Sequence, residues 1–337
     1  MLFCLEQGAN SPGVLGVSRM YWRQITEGDL QEFFLDCPIA FGAELIGEAA
    51  AWNAWRNLLS WPGFNGAVVE KRTPGKPAER CAAGASVFVS EAFAHEEISN
   101  PRPGLNGRVL AEFTRRTGNV LAPQQIAEDN ASDGLNVLVL FGRPLRKANE
   151  EEAAEAALEL ATSFVELHAG YRFRRTFIEL KDSVDIHHAL STRVYTLIPY
   201  GSQTNITSET TALGVVSSEA VAFMPGSMLT ALFRPRTPQL ALRVTDQELL
   251  RAALKGSTDA ELARHLNISV AAVKRRWEDI YRNVAGSDLP ISATFKAKSA
   301  EGKRGAQKRH LLLEYLRQHR EELRPFAHKR RSIAAAT

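Results

Sequence analysis

Residues 244–284 read VTDQELLRAALKGSTDAELARHLNISVAAVKRRWEDIYRNV, and their caps alone divide the stretch into three helices. The first is predicted over Asp246–Leu254, with Thr245 as N-cap and a stop at Lys255-Gly256, where glycine suits the left-handed position after a helix. Thr258-Asp259-Ala260-Glu261 has the form of a capping box, in which hydroxyl and carboxylate satisfy each other's backbone donors at the start of a second helix. Leu262, Ala263 and Leu266 share one face of that helix, Asn267-Ile268 makes a turn, and Ser269 caps a third helix.

The third helix sorts by sector. At about 100° per residue, Val273, Trp277, Ile280, Tyr281 and Val284 fall in one arc and form a core with Leu262, Ala263, Leu266 and Ile268. Arg275 points directly away from that arc. Ala271, Glu278 and Arg282 lie beside it, and Lys274 and Arg276 flank the boundary. Small Ala271 and Ala272 let the helix start approach a surface closely. An arginine facing outward can bind guanine bidentately, and neighbouring cations can reach phosphates. The expected DNA-contacting set is therefore Lys274, Arg275, Arg276, Ala271, Ala272 and Arg282, with Thr258 and Ser269 at the helix starts.

The segment resembles the LuxR-type helix-turn-helix of bacterial regulators. The matching residues are Thr245, Lys255-Gly256, Asp259-x-Glu261-Leu262-Ala263-x-x-Leu266, Ile268-Ser269, Val273-Lys274 and Ile280-Tyr281. The first helix is about two residues shorter than the family's, and Trp277 stands where the family commonly has a smaller aliphatic. The resemblance covers about an eighth of the chain. It implies a homodimer on double-stranded DNA, with the third helix in the major groove.

The chain has 337 residues, 45% hydrophobic and 23% charged, with a net charge of +3. That length suits two or three globular domains. The charge is uneven: from Arg243 onward there are 20 basic and 11 acidic residues, a net of +9, leaving residues 1–242 at −6. An acidic body with a basic end suits separate ligand-facing and phosphate-facing parts. No apolar run reaches the roughly 18 residues of a membrane span, and the N-terminus lacks a secretory pattern. Cys4, Cys37 and Cys81 are too scattered for a disulfide framework or a zinc site, which fits a reducing cytoplasm. No cofactor is implied.

Residues 1–240 read as an α/β or α+β body. Helices are predicted over Gly42–Ser60, Val109–Arg116, Pro123–Asn130 and Asn149–His168. Strands are predicted at Ala67–Val69, Ala85–Val89, Leu135–Phe141, Phe173–Leu180, Arg193–Pro199 and Met228–Phe233. Helix, Gly-aromatic turn and strand occur twice (through Gly63-Phe64 and Gly170-Tyr171), so residues 42–145 and 149–236 are candidate repeats forming two related lobes. A linker is expected over 286–302, an amphipathic basic helix over 303–325, and a basic tail over 326–337.

Sharper chemistry in the body is sparse. A phosphoacceptor receiver domain lacks its ordered strand-borne aspartates. Trp52, Trp55, Trp61 and Phe64 could line an acyl-homoserine-lactone pocket, but aromatics at helical spacing more commonly make core. Arg102-Pro-Gly-Leu-Asn-Gly107-Arg108 could cradle a phosphate at a helix start, as for coenzyme A in acetyltransferases, although its glycine spacing departs from that family's and a plain turn fits better. Asp185, His187 and His188 do not complete a metal site, and no Ser-His-Asp or Cys-His arrangement stands out. The reading is a cytoplasmic one-component transcriptional regulator, not an enzyme, whose body senses an unknown small molecule or protein. The alternative is an acetyltransferase-like body that binds acyl-coenzyme A, fused to a DNA-binding module.

Overall fold

The computed structural model describes residues 19–36, 42–144, 149–180, 194–201, 212–222, 228–234, 236–300 and 305–327. Cys4, Cys37, the Asp185-His187-His188 group and the Lys329-Arg330-Arg331 end lie outside them. The body opens with β1 (Arg19–Gln24), α1 (Glu27–Asp36), α2 (Ala43–Ile46), α3 (Glu48–Leu59), β2 (Phe64–Arg72) and β3 (Glu79–Val89). It continues through α4 (Glu91–Ser99), α5 (Leu105–Arg115), α6 (Pro123–Ala131), β4 (Leu135–Pro144), α7 (Glu150–His168) and β5 (Phe173–Leu180). Next come β6 (Thr196–Pro199), β7 (Ala212–Ser217), α8 (Ser218–Ala222) and a 3₁₀ turn, Met228–Ala231. The C-terminal third holds α9 (Val244–Leu254), α10 (Asp259–His265), α11 (Val270–Gly286), α12 (Pro290–Ala300), α13 (Gly305–Gln318) and a 3₁₀ turn, Arg320–Leu323.

The class is mixed α/β. The seven strands form one sheet in the order β1-β2-β3-β4-β5-β7-β6. All neighbouring pairs are antiparallel except β4 and β5, which run parallel and are joined across the sheet by α7. Runs such as Ala67–Val69 and Val87–Val89 are apolar at every position because both faces of the central strands are covered. One face packs Leu30, Trp55, Leu58, Leu105, Val109 and Leu110 from α1, α3 and α5 against β2–β4. The other face carries α7, whose small Ala156 meets Ala82 of β3 and Val69 of β2.

Several expectations change here. The candidate repeats are not two lobes, since β2 and β5 belong to the same sheet, with β2 antiparallel on both sides and β5 parallel to β4. Met228–Ala231 is 3₁₀ rather than strand. The single helix expected over Gly42–Ser60 breaks at Gly47, whose φ of +82° is left-handed. Pro290–Ala300, expected as linker, is helical.

Candidate active site

The parallel pair β4/β5 is the unusual feature of the sheet. Its register runs from Leu135↔Phe173 to Val139↔Ile178 and goes no further. Beyond that point β4 stays with β3, with Phe141, Gly142, Arg143 and Pro144 opposite Ala85, Gly84, Ala83 and Ala82. Glu179 and Leu180 of β5 stay with β7, opposite Leu213 and Ala212. The β4–β5 ladder thus ends two residues short of Leu180, the last described residue of β5, and the stretch beyond it, at the C-terminal ends of the two strands, is called the wedge below. Among the described residues β4 beyond Val139 has no ladder partner on its β5 side.

The start of α5 borders this wedge. Gly104, at φ +88°, turns the chain so that its N–H donates to Glu179 Oε1 at 2.7 Å, and Asn106 Nδ2 donates to the Leu140 carbonyl at 2.6 Å. Arg108 grips Glu97 bidentately at 2.8 and 2.6 Å and donates to the Arg102 and Pro103 carbonyls, which fixes the loop. Gly42 and Gly107 meet so closely that a Cβ on Gly42 would come within 2.7 Å of Gly107 Cα. Tyr200 is buried among Glu179, Arg108 and Glu97, and burial first, then the Glu179 carboxylate, raises its phenol above the ordinary value. The hydroxyl thus stays protonated through neutral pH.

Beside Arg108 lies a cleft of about 480 Å³. Leu45, Ile46 and Phe93 give it an apolar wall, and Glu96, Glu112, Arg102 and Arg115 a charged rim. Glu97 and Arg108 line this cleft as well, and both act electrostatically on the Tyr200 phenol. Two buried carboxylates, one arginine, one protonated phenol and an open strand edge thus converge at one end of the sheet.

The loop over residues 102–108 was the part of this site visible in the sequence. In it the Gly104 N–H at the helix start is occupied by the Glu179 carboxylate, where a phosphate cradle would offer it to the ligand. Trp55 is fully buried and packs edge-on against Phe64 and Phe141, as core. Trp61 donates through Nε1 to the Leu121 carbonyl. Ser86 and His168, unpaired in the sequence reading, meet at 3.0 Å. His168 Nδ1 donates to the Phe164 carbonyl at 2.7 Å, so Nε2 accepts from the serine. Burial pushes the ring's pKa down to about 3. With a carbonyl in place of a carboxylate behind it, and sealed under Phe88, Phe164 and Phe173, the pair is internal packing.

In the C-terminal third, Leu262, Ala263, Val273, Trp277, Ile280 and Val284 are buried in one cluster with Leu312, Leu316 and Leu323, while Leu266, Ile268 and Tyr281 pack against it. Thr258 forms the capping box with Glu261, and Ser269 accepts from Ala272 N at 3.1 Å. The first of these helices starts two residues earlier than expected, with Arg243 as N-cap in place of Thr245. Lys274, Arg275, Ala271 and Arg282 are exposed, and Ala272 is half-buried. Arg282 pairs with Asp279 at 3.0 Å, and Arg276, half-buried, donates to the Thr245 carbonyl at 3.4 Å, tying α11 to α9. Arg309 of α13 lies over the Trp277 ring at 4.7 Å and bonds Asp259 and Ser257, so the basic helix packs on its own unit.

No protein-family model and no curated protein matches the chain. Among solved structures it is similar to FeeM, an N-acyl amino acid synthase from uncultured soil microbes, at 10% identity and a TM-score of 0.32, covering 60% of this chain and 92% of that one. It is similar to an agmatine N-acetyltransferase at 15% identity and a TM-score of 0.34, covering 59% and 99%. An uncharacterised protein from Bacillus halodurans matches at 8% identity and a TM-score of 0.31, covering 62% and 93%. Scores of this size establish no shared activity, and the weight falls on the wedge. Two of these three proteins are described as acyl-transfer enzymes and none as a DNA-binding regulator. The reading as a one-component transcriptional regulator that is not an enzyme is corrected accordingly. No helix among the described residues is long and apolar enough to cross a membrane.

Proposed function

We propose that the body is an acyl-group transferase that takes an acyl thioester such as acyl-coenzyme A into the wedge between β4 and β5. The end of the ladder at Val139 and Ile178 carries this reading. An extended ligand arm bearing amides can add to the open edge of β4 as a further strand would, through main-chain hydrogen bonds. That would bring its thioester toward Glu179 and Tyr200. An amine acceptor then attacks the thioester carbonyl, Glu179 takes the proton from the amine nitrogen, the C–S bond breaks, and the same proton passes to the departing thiolate. Tyr200 donates a hydrogen bond to the developing oxyanion. General base catalysis of this kind contributes roughly 10²–10⁴ in rate.

The test is thiol release from acyl-coenzyme A of graded chain length with a panel of amines. Turnover is expected with at least one pair, and Glu179→Gln should lower kcat/KM by about 10² or more while the Gly104 contact is kept. Absence of thiol release across the panel, or full activity in Glu179→Gln, refutes the reading. Residues 243–285 enter the same proposal as a fused module of the LuxR helix-turn-helix type, supported by its sequence pattern, with double-stranded DNA bound by a homodimer as its expected partner. A salt-controlled shift assay with Arg275→Ala tests that part separately.

A further inference from the structure

A second cleft, of about 1250 Å³, lies between the body and the C-terminal helices, at the end of the sheet opposite the wedge. Its body wall is Trp22 and Gln24 of β1, Asn65 of β2 and the end of α7. Its other wall is the end of α9 and the face of α10. Lys255, Arg264 and His265 belong to that second wall, and Arg320 lines the cleft as well. None of these four has an ion-pair partner among the described residues. Three carboxylates also face the cleft: Glu166, Glu248 and Glu261. Glu261 is committed to the Thr258 cap. Arg251 and Arg324 line the cleft too, but donate to backbone carbonyls. Trp22 and Asn65, whose amide nitrogen has no hydrogen-bond partner, line the same cleft on the body side.

We infer that this cleft binds a phosphate-bearing small molecule of nucleotide size, with its phosphates on Lys255, Arg264 and Arg320 and its base against Trp22. Several converging cations with few committed partners favour a multiply charged anion, and the arginine fork matches phosphate geometry. An aromatic opposite the anion site gives a planar base a face to stack on. The volume exceeds what a single phosphate needs. The inference is independent of acyl transfer, because its residues and the wedge share no element wall.

The experiment is calorimetric titration of the full chain with ATP and, separately, with inorganic pyrophosphate. ATP is expected to bind with Kd below about 100 μM at 0.15 M salt, and pyrophosphate about tenfold more weakly. Lys255→Ala/Arg264→Ala should weaken ATP at least about tenfold, and Trp22→Ala should bring ATP to the level of pyrophosphate. Lys76→Ala/Lys296→Ala, two exposed lysines that do not line the cleft, should leave ATP unchanged. Because the substituted cations are exposed, circular dichroism should show an unaltered fold. Absence of heat with either ligand up to millimolar concentration overturns the inference. So does equal weakening by both double variants, which would mean unspecific attraction to positive charge.

Discussion

Arg324→Ala should loosen the helical unit from the body. The guanidinium caps the C-terminal end of α7, donating from Nε to the Ala169 carbonyl at 2.9 Å and from Nη2 to the Leu167 carbonyl at 2.8 Å. It also lies 4.5 Å from the centre of the Tyr171 ring. A cation at a helix C-terminus is favoured by the dipole. Each hydrogen bond to a charged group is worth about 1.5–3 kcal/mol, and a partly desolvated cation–π contact about 0.5–2 kcal/mol. These terms overlap, so a loss of about 2–4 kcal/mol in docking is expected, not their full sum. The strap next to it survives the substitution, with Ala327 N on the Ala127 carbonyl at 2.9 Å and Asn130 Nδ2 on the Pro325 carbonyl at 2.8 Å. A loss of 2 kcal/mol raises the population of the opened form about 30-fold. Amide hydrogen exchange over residues 320–327 reads that population, and it should speed up by about that factor. Exchange within about threefold of the native chain would refute the role given to Arg324.

Two further outcomes follow from packing and burial. Since His168 is held neutral with a pKa near 3 against an ordinary 6.5, the unfolded chain binds the proton first, and stability falls as pH drops from about 6.5. Between pH 6.5 and 4.5 the loss should be about 2–3 kcal/mol in urea unfolding, and His168→Gln should flatten it. Asp29, held well below the ordinary carboxylate range by Arg23 and Thr26 despite its burial, contributes its own loss only at more acidic pH. Gly170→Ala places a Cβ 2.4 Å from the backbone of Arg320 at a φ of +89°, so the junction must shift. It should lower Tm by several degrees and expose residues 320–327 to exchange, whereas an alanine at Gly286, which meets nothing nearby and is not in the left-handed region, should do neither.

The sequence showed the C-terminal helices well because their signals are local. Thr258 with Glu261, and Ser269 before an amphipathic run, specify helix starts without knowledge of the rest of the chain. The same holds for α7, where Asn149 accepts from Glu152 N and three glutamates fill the first turn. The body's central strands were found only in part. Apolar runs such as Ala67–Val69 mark burial, but not how far each strand extends once both faces are covered. β1 is largely amphipathic edge, with Arg23 held by Asp29 and Glu70. The candidate site was the least legible part. Glu97, Arg108, Glu179 and Tyr200 come from four separate elements. What gathers them is a register that stops after Val139↔Ile178, which no spacing in the sequence encodes. The duplicated helix-turn-strand pattern misled for the same reason: local similarity does not say which sheet a strand joins.

The central claim is that the open edge of β4 receives an acyl thioester. Hydrogen exchange of the full chain with and without a non-cleavable thioether analogue of acyl-coenzyme A tests it most directly. Slowing by about tenfold or more at residues 140–143, with Glu179→Gln still showing it, is the predicted result. Saturation with the analogue that leaves residues 140–143 exchanging as before, or no binding at all, would contradict it.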